Sequence, residues 1–190
     1  MRIKDYAEVI VGDYPFANQL YDELVPILEK HPDKQDRKTN VMATMTEWDW
    51  NSENVRIKRL KNNIIESARS LGLLTKDEHQ HQYGDKYDQL RYYVEDLWGN
   101  IYRKGDYTEV HSHRPSVFSC VYFLKTKWYH SPLVFTDSEK KLRHKKISPK
   151  EGTFVIFPSH LFHLVPEHRY RETRITLSGN MRINQGVFSN

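Results

Sequence analysis

Hydrophobic and polar positions fall into two textures along the chain, and the change comes near Trp98. Before it, apolar residues recur at helical spacing. Leu20, Leu24, Ile27 and Leu28 mark one helix, which Pro26 must either begin or kink because it lacks an N–H and crowds the preceding turn. Leu60, Ile64, Ala68 and Leu71 mark a second over Val55 to Leu71, with Gly72 as its stop. Lys86 to Leu97 reads as a third, and a short strand-like segment, Glu8 to Val11, precedes them all.

After Trp98 come short runs rich in β-branched and aromatic residues: Gly99 to Tyr102, Thr108 to His113, Ser116 to Leu124, Leu133 to Thr136, Lys146 to Ile147, Thr153 to Phe157 and Arg174 to Met181. Strands so closely spaced, broken by Gly, Pro and charged turns, predict a β-sandwich or barrel. With no internal repeat and no low-complexity linker, the helices are expected to pack on one sheet and share its core. The architecture is thus mainly β, a jelly roll with an N-terminal helical layer, in one domain spanning 1–190: helical support over 1–98 and the jelly-roll core over 99–182.

Composition changes this little. The chain has 190 residues, 38% hydrophobic and 28% charged, as soluble globular domains do. No run is long enough to cross a bilayer and the N-terminus lacks a signal-peptide pattern, so the expected compartment is the cytoplasm, with no membrane partner. A net charge of +4 would suit nucleic acid, but the basic residues are scattered and the densest cluster, Lys140 to Lys146, falls in an expected loop; a solvated surface is the better reading. Cys120, the single cysteine, sits in SVFSCVYFLK and reads as a buried structural thiol.

The candidate chemistry is histidine. There are ten, most of them between His111 and His168. His111 and His113 share a side if the strand is extended, so both imidazoles could reach one metal. The spacing alone is weak: His79 and His81 repeat it in a polar connection that reads as a solvated loop. His163, just after the strand Thr153 to Phe157, strengthens it, because a pair from one strand and a distant residue from another can form a facial metal site. His160 competes for that place, and any lone histidine could be satisfied by backbone and water. Arg174 opens a run in which Thr176 and Ser178 share its face; buried there, it needs an anion, either a dicarboxylate cosubstrate or an acidic side chain.

Several ordered motifs together are similar to the iron(II)- and 2-oxoglutarate-dependent oxygenases, particularly a branch of small phage and bacterial proteins. They are Asn100-Ile-Tyr102, Gly105-Asp106, His111-Ser-His113, Ser119 to Leu124, Pro149 to Gly152, Phe157-Pro-Ser159 leading to His163, and Arg174 to Asn180. The resemblance implies a double-stranded β-helix, Fe(II) and 2-oxoglutarate as cofactors, and dioxygen as cosubstrate. It also implies His111 as proximal ligand, His163 as distal ligand and Arg174 as partner of the cosubstrate's far carboxylate, with Tyr102 and Tyr122 nearby. Where most of that superfamily has Asp or Glu, this chain has His113. Position favours His113 as third ligand; residue type favours an acid, Glu109 first, then Asp106 or Asp137.

The implied reaction hydroxylates a C–H bond of a peptide, protein or small molecule, with release of succinate and carbon dioxide. It demands no side-chain nucleophile, and the chain shows no nucleophile elbow, phosphate loop or zinc-finger spacing. Loops at Lys125 to Pro132 and Asp137 to His144 are expected to choose the substrate; a peptide or protein is favoured, with a small metabolite or nucleobase left open. The other reading, supported by His113, is a metal- or ligand-binding jelly-roll module without turnover, such as a phage accessory or structural protein.

Overall fold

The computed structural model describes residues 9–32, 39–70, 91–137 and 142–184. In chain order these form β1 (Ile10–Asp13), α1 (Ala17–Glu29), β2 (Val41–Met42), β3 (Thr44–Met45), α2 (Val55–Ser70), β4 (Arg91–Tyr102), β5 (Tyr107–His111), β6 (Phe118–Lys125), β7 (Leu133–Asp137), β8 (Leu142–Ile147), β9 (Thr153–Pro158), β10 (His163–Val165) and β11 (Arg174–Asn184). Two antiparallel sheets result, one in the order β1-β9-β6-β11-β4-β3 and one in the order β2-β5-β10-β7-β8. This is the jelly roll, mainly β, with helices layered on one sheet.

Its three layers follow from period-two patterning. Along β6, Phe118, Cys120, Tyr122 and Leu124 join a core with Leu20, Leu24 and Leu28 of α1 and Ile57, Leu60 and Ile64 of α2. Val121 and Phe123, on the opposite face, join Trp98, Phe135, Phe157 and Val165 between the sheets. The six-stranded sheet is therefore covered on both faces, and β6 is buried almost throughout. Cys120 is buried as expected, and burial pushes its thiol up to about 12, which keeps it protonated and unreactive.

The helices form where the pattern places them, with local detail it does not give. Asn54 caps α2 by accepting the N–H groups of Arg56 (2.8 Å) and Ile57 (3.2 Å). Pro26 lies inside α1 rather than in its first turn, and Ile27 faces solvent while Val25 is buried. Leu71 and Gly72 lie outside the described residues.

Three expectations need correction. The third helix is not formed over 91–97: these residues belong to β4, paired along its whole length with β11. The basic stretch is not all loop, because 142–147 form β8, the last strand of the five-stranded sheet, with Lys145 and Lys146 exposed; charge there blunts an open edge. The N-terminal half is also more than helical support, since β1, β2 and β3 each extend a sheet.

Candidate metal and cosubstrate site

The site is built where β10 pairs with β5. His163 stands directly opposite His111 in that antiparallel register, with ring centroids 4.3 Å apart. β10, three residues long, is the strand that the sequence pattern missed. His113 arrives differently. β5 ends at His111, so strand alternation does not carry it. Its N–H donates to the Ser159 carbonyl (2.8 Å), and its own carbonyl accepts from Ser116 N–H (2.9 Å). Ser159 is itself held: its N–H donates to Val117 O (3.0 Å), its hydroxyl pairs with that of Ser119 (2.8 Å), and Ser119 donates to Asn180 Oδ1 (3.1 Å). A hydrogen-bonded brace across β6, β11 and the end of β9 thus sets the third imidazole.

One nitrogen from each of His111, His113 and His163 lies within 4.8 Å of the others, close enough to share one ion. In His111 and His163 the tautomer is fixed. Nδ1 lies 2.8 Å from Glu109 O in the first and 2.9 Å from Leu161 O in the second. A carbonyl only accepts, so Nδ1 carries the proton and the Nε2 lone pair is left for a metal. Burial lowers the pKa of all three, that of His113 to about 3 and that of His163 well below its ordinary value. All three are therefore neutral at pH 7, the form that ligates.

Among the described residues no carboxylate joins this cluster. Glu109 is exposed, the Asp106 carboxylate accepts the Arg103 N–H (2.7 Å), and Asp137 ends β7. His160 is exposed, while His79 and His81 lie outside the described residues.

Arg174 has no exposed surface, and none of its guanidinium nitrogens has a hydrogen-bond partner. The group lies over the rings of Tyr102 (4.6 Å to the centroid) and Phe123 (5.6 Å). Burial pushes its pKa down, and Tyr102 works against that shift. A buried guanidinium without a counter-charge costs several kcal/mol, so the fold holds a place for an anion. One narrow cavity is lined by Arg174, Thr176 and Ser178 on one wall and by the three histidines on another. Tyr102 lines it too, its hydroxyl paired with Thr108 Oγ1 at 2.8 Å. Tyr122 does not: it points to the helix side and packs edge-on to Tyr14, with centroids 5.8 Å apart, because even-numbered residues of β6 face α1 and α2.

Sequence reasoning missed Trp48, Trp98 and Asn100. Trp98 and Asn100 line the inner cavity, and Asn100 donates to Ser178 Oγ (2.9 Å) while its Oδ1 is buried and unpartnered. An outer cleft of about 220 Å³ adjoins His111 and His113, walled by Val41, Met45, Trp48 and Trp98. The loop Lys125 to Pro132, expected to choose the substrate, lines neither space; of Asp137 to His144, residues 138–141 lie outside the described residues. The Trp48-Asp-Trp50 pair was the available signal, two large aromatics in a turn-rich stretch.

These residues fit Fe(II) and 2-oxoglutarate. Three neutral imidazoles suit a ferrous ion, and the orphaned guanidinium suits a dicarboxylate's far end.

The family described as "Putative 2OG-Fe(II) oxygenase" matches residues 96–180. No curated protein matches the chain in sequence. Among solved structures, a Pseudomonas putida prolyl-4-hydroxylase is similar in fold, with TM-score 0.63 and 14% identity over 94% of each chain. So is the viral collagen prolyl hydroxylase of Paramecium Bursaria Chlorella virus-1, solved as its 2OG complex, with TM-score 0.58 and 16% identity over 91% of this chain and 94% of that one. The non-heme alpha ketoglutarate dependent epimerase SnoN from nogalamycin biosynthesis has TM-score 0.63 and 10% identity over 93% of this chain and 76% of its own. The match over residues 96–180, somewhat under half of the chain, takes in all three clustered histidines and Arg174, so the part that is similar to that family is the part that holds the site.

Proposed function

We propose that this protein is an Fe(II)- and 2-oxoglutarate-dependent dioxygenase that hydroxylates a C–H bond in a peptide or protein. One observation carries the reading: a three-histidine cluster and a buried, unpartnered arginine face a common cavity. A metal ligand set and an anion anchor on opposite walls match a cosubstrate that is a keto acid at one end and a carboxylate at the other. Bound there, iron and 2-oxoglutarate would supply the oxidising power, with succinate and carbon dioxide as by-products.

The chain's own residues do the positioning. Nε2 of His111 and His163, with His113, would hold the metal, and the carbonyls of Glu109 and Leu161 keep their imidazoles in the ligating tautomer. Arg174 would take the far carboxylate in a bidentate grip, with Tyr102 beneath the guanidinium. The inner cavity is walled by Val121, Leu133, Phe157 and Val165, which exclude bulk water and strengthen that grip.

Hydroxylation is favoured over other oxidative outcomes because two of the similar structures are prolyl hydroxylases, although an epimerase shares the fold. The deciding experiment is succinate release from 2-oxoglutarate by the iron-loaded protein. We expect a slow uncoupled rate without substrate, lost in Arg174→Ala. Absence of succinate with every substrate tried would favour a binding module without turnover.

A further inference from the structure

We infer that the outer cleft beside the histidines seats an extended peptide whose residue at the metal is uncharged, and that Trp48 and Trp98 form the wall receiving it. This deepens the proposed function and rests on it.

The wall carries no charge. Its side chains are Thr39, Asn40, Val41, Met45, Trp48 and Trp98, and the floor is His111, Ser112 and His113, with no Asp, Glu, Lys or Arg among them. A cation placed here would find no carboxylate in the wall, and an anion would find no cationic one. Either would lose its hydration without a counter-charge, whereas an apolar side chain gains by leaving water.

Trp48 is half exposed, at 52%, with its ring edge-on to Trp98 at 4.5 Å between centroids. Trp98 lines both the outer cleft and the inner cavity and lies 6.0 Å from the His113 ring. Its indole N–H is buried and has no hydrogen-bond partner. Tryptophan in a core normally finds an acceptor, so this donor is one that a bound carbonyl would satisfy.

The backbone argues for a peptide rather than a small apolar molecule. β2 and β3, joined only by Ala43, are the end strands of the two different sheets, and Val41 and Met45 from them line the cleft. Among the described residues the cleft therefore lies beside an end strand of each sheet, where the chain crosses from one to the other. An edge strand offers its outward backbone groups to a further strand, the way extended peptides are commonly bound.

The test is titration calorimetry on the full chain with Fe(II) and 2-oxoglutarate under anaerobic conditions. The probes are heptapeptides blocked at both ends, alternating Gly and Ala around a central Pro, Leu, Phe, Lys or Asp. We expect the Pro, Leu and Phe peptides to bind, and the Lys and Asp peptides to bind roughly tenfold more weakly or worse. Trp48→Ala should weaken the neutral peptides about tenfold, the scale of one lost apolar contact, and Trp48→Phe should restore most of it. Trp98→Phe, which keeps a ring but removes the N–H, should weaken them severalfold. Affinity for 2-oxoglutarate should be unchanged in both Trp48 variants, since Trp48 lines only the outer cleft. Equal or tighter binding of the Lys or Asp peptide, indifference to Trp48→Ala, or no peptide binding at all would overturn the inference. Wild type that fails to bind 2-oxoglutarate would instead overturn the oxygenase reading on which it rests.

Discussion

Taking one imidazole from a three-ligand cluster leaves two donors, too few to retain a ferrous ion, so His111→Ala and His163→Ala should each lose bound iron by metal analysis. His160→Ala should keep it, because that side chain is exposed. His113 gives the sharper test. Among the described residues no acid joins the cluster, so His113→Asp should keep or tighten iron by restoring a negative charge, while Glu109→Gln should leave iron content alone. Iron lost in Glu109→Gln and retained in His113→Ala would reverse the assignment. Arg174 separates the two cofactors: Arg174→Ala should spare iron but weaken 2-oxoglutarate about ten- to a hundredfold, as expected for a charge-assisted contact worth roughly 1.5–3 kcal/mol. Arg174→Met adds a stability readout. Without cosubstrate it should melt no lower than wild type, because it removes a buried charge that has no partner. With cosubstrate at about a hundred times its Kd, only wild type should gain about 2.7 kcal/mol.

The elements divide into those that hold the site and those that hold the sheet flat against its helical layer. Leu60 of α2 is fully buried in the helix-side core, remote from the inter-sheet face that carries the histidines. Leu60→Ala should therefore cost about 2–5 kcal/mol by urea unfolding, yet leave iron stoichiometry unchanged below the transition. Loss of iron in the folded variant would show that the helical layer sets the site's geometry. How far such elements were legible depended on their surroundings. α2 could be read because one face is wet and the other dry, which is what a 3.6-residue period reports. β4 could not: from Leu97, which packs toward the helices, and Trp98, which packs toward the other sheet, the strand is buried on both faces and shows no alternation, and only the short stretch before it has a wet face. Leu90, Val94 and Leu97 then mimic a helical face, and pairing with β11 overrides it. The site was half legible for a similar reason. His111, His163 and Arg174 are set by strands and could be placed from motif order. His113 was placed on strand alternation, but a backbone hydrogen bond to Ser159 brings it in. The cleft wall was invisible because Trp48 comes from a region far away in sequence.

At the scale of the whole molecule the buried histidines set the response to acid. Burial lowers the pKa of His111, His113, His163, His130 and His168, with His113 at about 3 and His130 at about 4. In the unfolded chain each returns to about 6.5. Between these values the unfolded state binds more protons than the folded one, so stability rises with pH there and falls as the solution is acidified from 6.5 towards 4. Glu23 adds to acid sensitivity only lower down, since its hydrogen bond from Asn54 holds it below the ordinary carboxylate value of 4.5. The interval from pH 6.5 to 5 therefore isolates the histidines. His130 is the one to change, because it lies outside the three-histidine cluster and packs edge-on to His168 at 4.7 Å. Its Nδ1 accepts the Lys127 N–H at 3.2 Å, a contact that the side-chain oxygen of asparagine can replace. His130→Asn should flatten the slope of unfolding free energy against pH in the metal-free protein over that interval, while iron binding at pH 7 stays as in wild type. A slope that does not change would mean that His130 takes up its proton in the folded state as readily as in the unfolded one, and that the acid response resides in His168 and the three histidines proposed to hold the metal. Adding iron would then leave the slope in place or steepen it, because a ligated imidazole stays unprotonated in the folded state while the unfolded chain, its metal released, takes up the protons.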